Sequence, residues 1–231
     1  MMDARTFATG ALGIVLLTHG IEGQGVAQYR NFALGSNVAA VATLTGATTS
    51  DAKTIHQRPA LLQDLEWRPS RWISGSTAAS TDPVDQIVFS FYNDQLFRVV
   101  VAYAEDRTAG MTNADMIEAI STVYGAPAKR TLGAVRVSPR VETERGSALA
   151  RWGDARYAVV LYRSWAYGEG FGLIVTESTL DDLARKAAIE ATRLDEQDAP
   201  RLEIVRQKQE RDDRRAGLDK ARIANKAVFR P

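Results

Sequence analysis

The sequence predicts an α+β protein built from two tandem units, each made of one helix followed by three strands. The strands are expected to form one antiparallel sheet with the helices packed on one face, and a long charged helix is expected at the C-terminal end. Two observations predict this fold. Alternating strand patterns and amphipathic helix patterns follow one another along the chain, and a helix that ends at a glycine occurs twice, at Gly46 and at Gly125.

Residues 1–27 are predicted to be a secretory signal peptide. Arg5 precedes an uncharged, mostly apolar run over residues 6–18, and the small residues at 25–27 offer a cleavage site before Gln28. The alternatives are an N-terminal helix of the domain or an uncleaved anchor, but the run is shorter than the roughly 20 residues of a membrane-spanning helix. We therefore expect an exported protein, periplasmic or extracellular, without a transmembrane segment.

The duplicated α+β domain is predicted at residues 28–198, with its first unit at about 29–106. A helix over residues 36–47 is expected to end at Gly46, and "LLQDLEWRP" at 61–69 is expected to form the first strand.

A hairpin completes the first unit and has the clearest pattern in the chain. Residues 84–92 alternate in the manner of a strand, and Asn93-Asp94 tolerates the geometry of a tight turn. The return strand over residues 96–103 is apolar on both faces, which is typical of a central strand.

The second unit is predicted at about residues 107–178. Thr112 is expected to cap its helix in a capping box with Asp115, and Gly125 is expected to end it. Three strands should follow, at residues 148–152, 156–165 and 170–178. The apolar positions of the two helices have the same offsets from their glycines, which favours a duplication, although a chance likeness between two short helices is the alternative.

The two units resemble the family of β-lactamase inhibitor protein and the related small lipoprotein of the outer-membrane β-barrel assembly machine. The resemblance covers residues 29 to about 178 and rests on a short motif followed by an aromatic-rich hairpin; the motif residues are Leu34, Gly35, Val41, Leu44 and Gly46. The chain has neither the lipid-anchoring cysteine nor the disulfides of these relatives. The resemblance implies a non-catalytic exported scaffold with a concave sheet that binds other proteins, and it assigns no functional residue.

The C-terminal region is predicted to contain a packed helix over residues 179–198 and a charged helical tail over 199–231. The packed helix has a single apolar stripe, and Pro200 is expected to end or kink it. Within the tail the apolar stripe dwindles, and residues 206–222 mix charges at helical spacing with almost no apolar residue, so we expect the tail to be solvated. Either it has no partner, or it is an arm that docks a partner through Val228 and Phe229.

Composition restricts the chemistry. The chain has no cysteine, and one of its two histidines, His19, lies in the predicted signal peptide, so a thiolate or histidine-rich metal site is excluded and no cofactor or metal site is predicted. His56 is interpreted as a loop histidine. The formal charge of +1 gives no overall attraction for nucleic acid, so polyanion binding would need a local patch.

Aromatic and arginine residues of the second meander are the candidate partner-binding surface. These residue types are the usual anchors of protein interfaces, and the aromatic residues are expected to lie together near one end of the meander with the arginines in the neighbouring strands. The alternative is that they fill the core below the C-terminal helix. With the two tail residues above, the candidates are Trp152, Arg156, Arg163, Trp165, Tyr167 and Phe171.

The functional prediction is an exported, non-catalytic module that binds or assembles other proteins of the cell envelope. The sequence has fold signals throughout and no catalytic motif. The alternative is a secreted hydrolase that uses a pair of carboxylates, for which Glu142 and Glu144 are one candidate pair. Neither a particular oligomeric state nor a nucleic-acid partner is predicted.

Overall fold

The computed structural model describes residues 25–70, 81–128, 146–164 and 170–228, together with Arg230. The helices and strands, in chain order, are β1 Gln28–Tyr29, β2 Phe32–Ala33, α1 Val38–Thr45, a 3-10 turn Thr49–Asp51, β3 Lys53–His56, β4 Leu62–Trp67, β5 Val84–Tyr92, β6 Gln95–Tyr103, α2 Glu105–Thr108, α3 Asn113–Tyr124, β7 Gly146–Gly153, β8 Tyr157–Ser164, β9 Phe171–Glu177 and α4 Ser178–Val228. The protein is thus α+β.

One antiparallel sheet organises the described residues. Its seven strands lie in the order β3-β4-β5-β6-β9-β8-β7, and β1 and β2 form a separate two-stranded sheet. Every neighbouring pair of strands is antiparallel. Strand β6 lies at the centre between β5 and β9, as its apolar residues on both faces predict.

The predicted hairpin between β5 and β6 is confirmed, and its turn also holds two neighbouring elements. Asn93 and Asp94 have positive φ angles of 47° and 64°. The Asn93 side chain accepts a 2.9 Å hydrogen bond from the backbone N–H of Leu61, before β4, and Asp94 accepts one of 2.9 Å from the backbone N–H of Val38, the first residue of α1. The turn therefore fixes the starts of β4 and α1 relative to the sheet.

The prediction of two tandem helix-plus-three-strand units is wrong. Among the described residues, α1 is preceded by the β1-β2 sheet and followed by four strands of the large sheet, whereas α3 is followed by three. The shared offsets of the two helices match their buried faces only in part, because Val41 and Ile120 are both buried whereas Leu44 is 52% exposed. A helix of eight residues has too few apolar positions to distinguish a repeat from a coincidence.

The helices do not all lie on one face, which corrects a second part of the predicted fold. Side chains of α1, α3 and β2 pack with alternate residues of the central strands in the main core. Helix α4 packs on the opposite face, where Ala184 contacts Leu62 and Phe97. The sheet therefore has a helical layer on each side, because its central strands have apolar residues on both faces.

Helix α4 is continuous over 51 residues and contains Pro200 without ending there. Its buried residues, Asp181, Ala184, Ala187 and Ala191, all lie in its first four turns. Every described residue from 201 to 228 is exposed, and this segment is called the arm below. No helix in the described ranges combines the length and the apolar composition that crossing a membrane requires.

Candidate functional site

The structure separates the aromatic residues that the sequence grouped as a binding surface. Trp152 and Phe171 are 1% and 3% exposed and belong to the main core, so neither is available to a partner. The indole N–H of Trp152 donates a 2.9 Å hydrogen bond to the carbonyl of Gly125. Trp165, Tyr167 and Phe229 lie outside the described residues, and Val228 is 73% exposed at the end of α4.

The two candidate arginines lie at opposite ends of β8, about 20 Å apart along the strand. Arg156 precedes the strand, and Arg163 lies near its end, where its guanidinium is over the Phe171 ring and donates a 3.0 Å hydrogen bond to Asn113. Trp152 pairs with Val159 and Phe171 with Arg163, so these two aromatic residues lie four positions apart along β8 and not at one end of the meander. The separation follows from the length of the strand, because each residue adds about 3.3 Å.

Arg156 lies at a cleft that the sequence did not predict. The cleft has a volume of about 380 Å³ and is formed where β9 ends and α4 begins, beside the first residues of β6 and β8. This volume is within the range of sites that bind small molecules or single side chains. The residues that line the cleft are Leu34, Gly35, Gln95, Arg156, Tyr157, Glu177, Thr179 and Leu180.

Backbone hydrogen bonds hold the walls of the cleft in place. Asp154 begins the turn between β7 and β8, and its carboxylate accepts bonds of 2.7 and 2.8 Å from the N–H groups of Arg156 and Tyr157. The carbonyl of Arg156 accepts a 2.7 Å bond from Ser178, the first residue of α4. On the other wall, the N–H of Gly35 donates a 2.7 Å bond to the carbonyl of Leu96. The cleft is therefore largely preformed.

Charges of both signs line the cleft. The Glu177 side chain is 7% exposed, and one of its oxygens accepts a hydrogen bond from the backbone N–H of Leu180 in the first turn of α4. The other oxygen is 3.5 Å from Nε of Arg156, whose side chain is 69% exposed. The guanidinium of Arg156 lies 5.0 Å from the centre of the Tyr157 ring. An exposed cation stacked on an aromatic ring thus stands beside a recessed carboxylate.

Asp181, one turn after Glu177, is a second buried carboxylate, and it also contacts arginines. It pairs with Arg98 of β6 and, at 3.1 Å, with Arg185 on its own helix. Asp181 therefore links α4 to the sheet, while Glu177 lies at the cleft beside Arg156. Glu142 and Glu144, the candidate pair of the hydrolase alternative, lie outside the described residues.

A cluster of tyrosines is the other concentration of titratable groups. Tyr29, Tyr103 and Tyr124 lie against one another, and burial raises the pKa of each above its ordinary value of 10.0. Arg30 lies 5.4 Å from the Tyr29 ring centre and makes two hydrogen bonds to Asp82, which lower the pKa of that carboxyl. The phenols stay neutral, so the cluster fastens the β1-β2 sheet to the core rather than supplying a base.

His56 lies in β3 and not in a loop, which corrects the sequence interpretation. The strand is short, exposed and polar, and it forms the edge of the sheet beside β4, so it lacks the apolar alternation that marks a strand. Across the described parts of the chain, no group of His, Cys, Asp and Glu side chains is arranged to hold a metal ion.

Most residues of the cleft were not predicted, because they come from four separate parts of the chain. Arg156 was a candidate on composition alone. The local signal for Glu177 was a carboxylate at the junction of a strand and a helix, which is a common capping position and not specific for a site. Comparison of the chain with family models, with curated proteins and with solved structures gave no match.

Proposed function

We propose that the chain is an exported, non-catalytic protein that binds a partner protein of the cell envelope through the cleft at the start of α4. The observation that carries the proposal is the exposed Arg156 guanidinium stacked on Tyr157 beside the recessed Glu177. Arginine and tyrosine are the residues that most often supply binding energy at protein interfaces. Because the tandem-unit fold is wrong, the proposal rests on this cleft and not on the family resemblance.

Charge pairing defines the kind of partner segment that fits. An acidic side chain of the partner would contact the Arg156 guanidinium, and an amide or a basic group of the partner would contact the Glu177 carboxylate. Gln95 and Thr179 add polar groups at the rim, while Leu34 and Leu180 supply apolar contact. The preformed walls lower the entropy that such binding would cost.

Site-specific photo-crosslinking in the cells that make the protein tests the cleft. A photoreactive residue at Gln95 should yield one adduct of defined mass, whereas one at Glu118, exposed on α3, should not. Arg156→Ala should reduce the adduct strongly. Arg68→Ala is the matched control, because Arg68 is also an exposed arginine, 64% against 69%, with a single carboxylate partner. Equal adducts from both labelled positions, or equal effects of both alanine variants, would rule the cleft out.

Export is tested separately by N-terminal sequencing of the protein recovered from the envelope or the medium. The proposal expects the mature chain to begin at Gln28, the first residue of β1. Such a chain would lack the 2.9 Å bond that the carbonyl of Ala27 accepts from the N–H of Leu34. An intact Met1 on a protein that remains in the cytoplasm would contradict export while leaving the cleft proposal standing.

A further inference from the structure

One face of the arm is basic along its whole length. Residues spaced three or four apart lie on one face of a helix. One such series, from Ile204 to Lys226, contains two aliphatic residues, five cations and no acid. The aliphatic residues are Ile204 and Leu218. The five cations, called the basic stripe, are Lys208, Arg211, Arg215, Arg222 and Lys226.

The cations of the basic stripe are exposed and are not neutralised by the helix itself. All five lie in the exposed arm, and among the described residues none has a carboxylate oxygen within 4.0 Å. The ion pairs of the arm form elsewhere on the helix, where Arg206 contacts Glu203 and Glu210 at 2.9 Å each. Their charge is therefore available to an external anion.

Charge is distributed unevenly over the chain. Residues 201–231 contain ten basic and five acidic residues, while residues 1–200 contain 19 basic and 23 acidic residues, so the overall +1 combines a basic tail with an acidic remainder. The near-neutral net charge of the whole chain predicted no overall attraction for polyanions. The arm is the kind of local patch that such binding requires.

The geometry of the stripe fits a flat surface. From Lys208 to Lys226 it extends for about 27 Å along the helix. Ile204 and Leu218, on the same face, are 67% and 66% exposed. A lipid surface suits both kinds of residue, because cations pair with the anionic headgroups while aliphatic side chains reach the acyl boundary. The groove of a duplex fits less well, since Asp212 and Asp219 flank the stripe and would face the phosphates of a groove wall.

We propose that the basic stripe docks the arm onto the surface of an anionic phospholipid bilayer. The opposite face of the arm contains Glu203, Arg206, Glu210 and Asp213, so the helix lies on the headgroups and does not insert deeply. This inference goes beyond the cleft, which lies at the other end of α4. A docked arm would keep the body, with its cleft, beside the membrane.

Vesicle sedimentation of the full chain tests the proposal. The protein should sediment more strongly with phosphatidylcholine vesicles that contain phosphatidylglycerol than with phosphatidylcholine alone, and salt should remove this difference. The triple variant Arg211→Gln, Arg215→Gln, Arg222→Gln should lower the partition coefficient by about a hundredfold, because each cation near an anionic surface contributes about a factor of five.

A second triple variant is the matched control. Arg206→Gln, Arg214→Gln, Lys220→Gln removes the same charge from other faces of the arm, so it should bind nearly as the unchanged chain does. Circular dichroism should show that both variants keep the helix. Residues 1–27 are the same in all the chains compared, so they do not contribute to a difference between them. Absence of sedimentation with anionic vesicles at low salt, or equal losses in the two variants, would overturn the proposal. Binding of a random-sequence DNA duplex through the stripe without vesicle binding would also overturn it.

Discussion

Trp152 and Gly125 join β7, the edge strand of the sheet, to the end of α3. The indole N–H of Trp152 donates a 2.9 Å hydrogen bond to the carbonyl oxygen of Gly125, and the ring itself is 1% exposed. Gly125 ends α3 with a φ of 81°. Trp152, a candidate surface anchor in the sequence analysis, is thus a buried residue that links two elements of the core.

Replacing this indole should destabilise the fold without changing its shape. Trp152→Phe keeps an aromatic ring in the core but leaves the Gly125 carbonyl without its donor, so we expect a loss of about 1–3 kcal/mol. Urea unfolding followed by circular dichroism measures it. Crosslinking at the cleft should be unchanged in the folded variant, and a loss of that adduct would place Trp152 in the binding surface after all.

Gly172→Ala should also destabilise the protein, by about 1–3 kcal/mol, because a Cβ at this position would lie 2.2 Å from Cζ of Tyr162 on the neighbouring strand. The ring packs over the glycine, so a methyl group there would require the Tyr162 ring to shift. A double-mutant cycle with Tyr162→Leu supplies the control, since the shorter side chain makes space. If Gly172→Ala costs as much beside Leu as beside Tyr, the ring is not the cause.

Thr112→Ala should cost about 1 kcal/mol of unfolding free energy. The Thr112 hydroxyl accepts a 3.2 Å hydrogen bond from the N–H of Asp115, and the Asp115 carboxylate accepts a 2.7 Å bond from the N–H of Thr112, which completes the predicted capping box. Thr43→Ala, inside α1 and exposed, is the control and should be close to neutral. A Thr112 variant with an unchanged unfolding midpoint would refute the cap.

Asp82 should make stability depend on pH in the acid range. Its two hydrogen bonds from Arg30 lower the pKa of the Asp82 carboxyl below its ordinary 3.8. The stabilisation is therefore complete above the unfolded pKa and is lost as the pH falls through the lower folded pKa. The unchanged chain should be more stable than Asp82→Asn above the unfolded pKa, and this difference in unfolding free energy should shrink as the pH drops. Urea unfolding across a pH series measures the difference. A difference that stays constant would show that the pair does not titrate.

Truncation after Pro200 should leave the thermal midpoint nearly unchanged, because every described residue beyond it is exposed. Truncation after Thr179 is the contrast, since it removes the buried Ala184, Ala187 and Ala191 and should unfold or aggregate the body. Differential scanning calorimetry compares the two. A large drop in the thermal midpoint of the chain truncated after Pro200 would mean that the arm packs on the body.

Local chemistry determined much of this protein. The hairpin at Asn93-Asp94, the capping box at Thr112 and the apolar faces of the central strands could be predicted because each depends on residues within one turn or one strand. Periodicity likewise indicated that α4 begins amphipathic and becomes mostly polar and charged, since that change lies in the composition of consecutive residues.

Only the tertiary structure decided how these elements combine. Strand β9 pairs with β6, although some seventy residues separate them, and this pairing, which no local pattern encodes, replaces the tandem arrangement and puts α4 on the second face. It also brings Gln95, Arg156 and Glu177 to one cleft, while Arg156 and Arg163 move to opposite ends of a strand. Sequence spacing fixes which face of an element a side chain occupies, but the distance between side chains of different elements depends on pairing and packing across the whole chain.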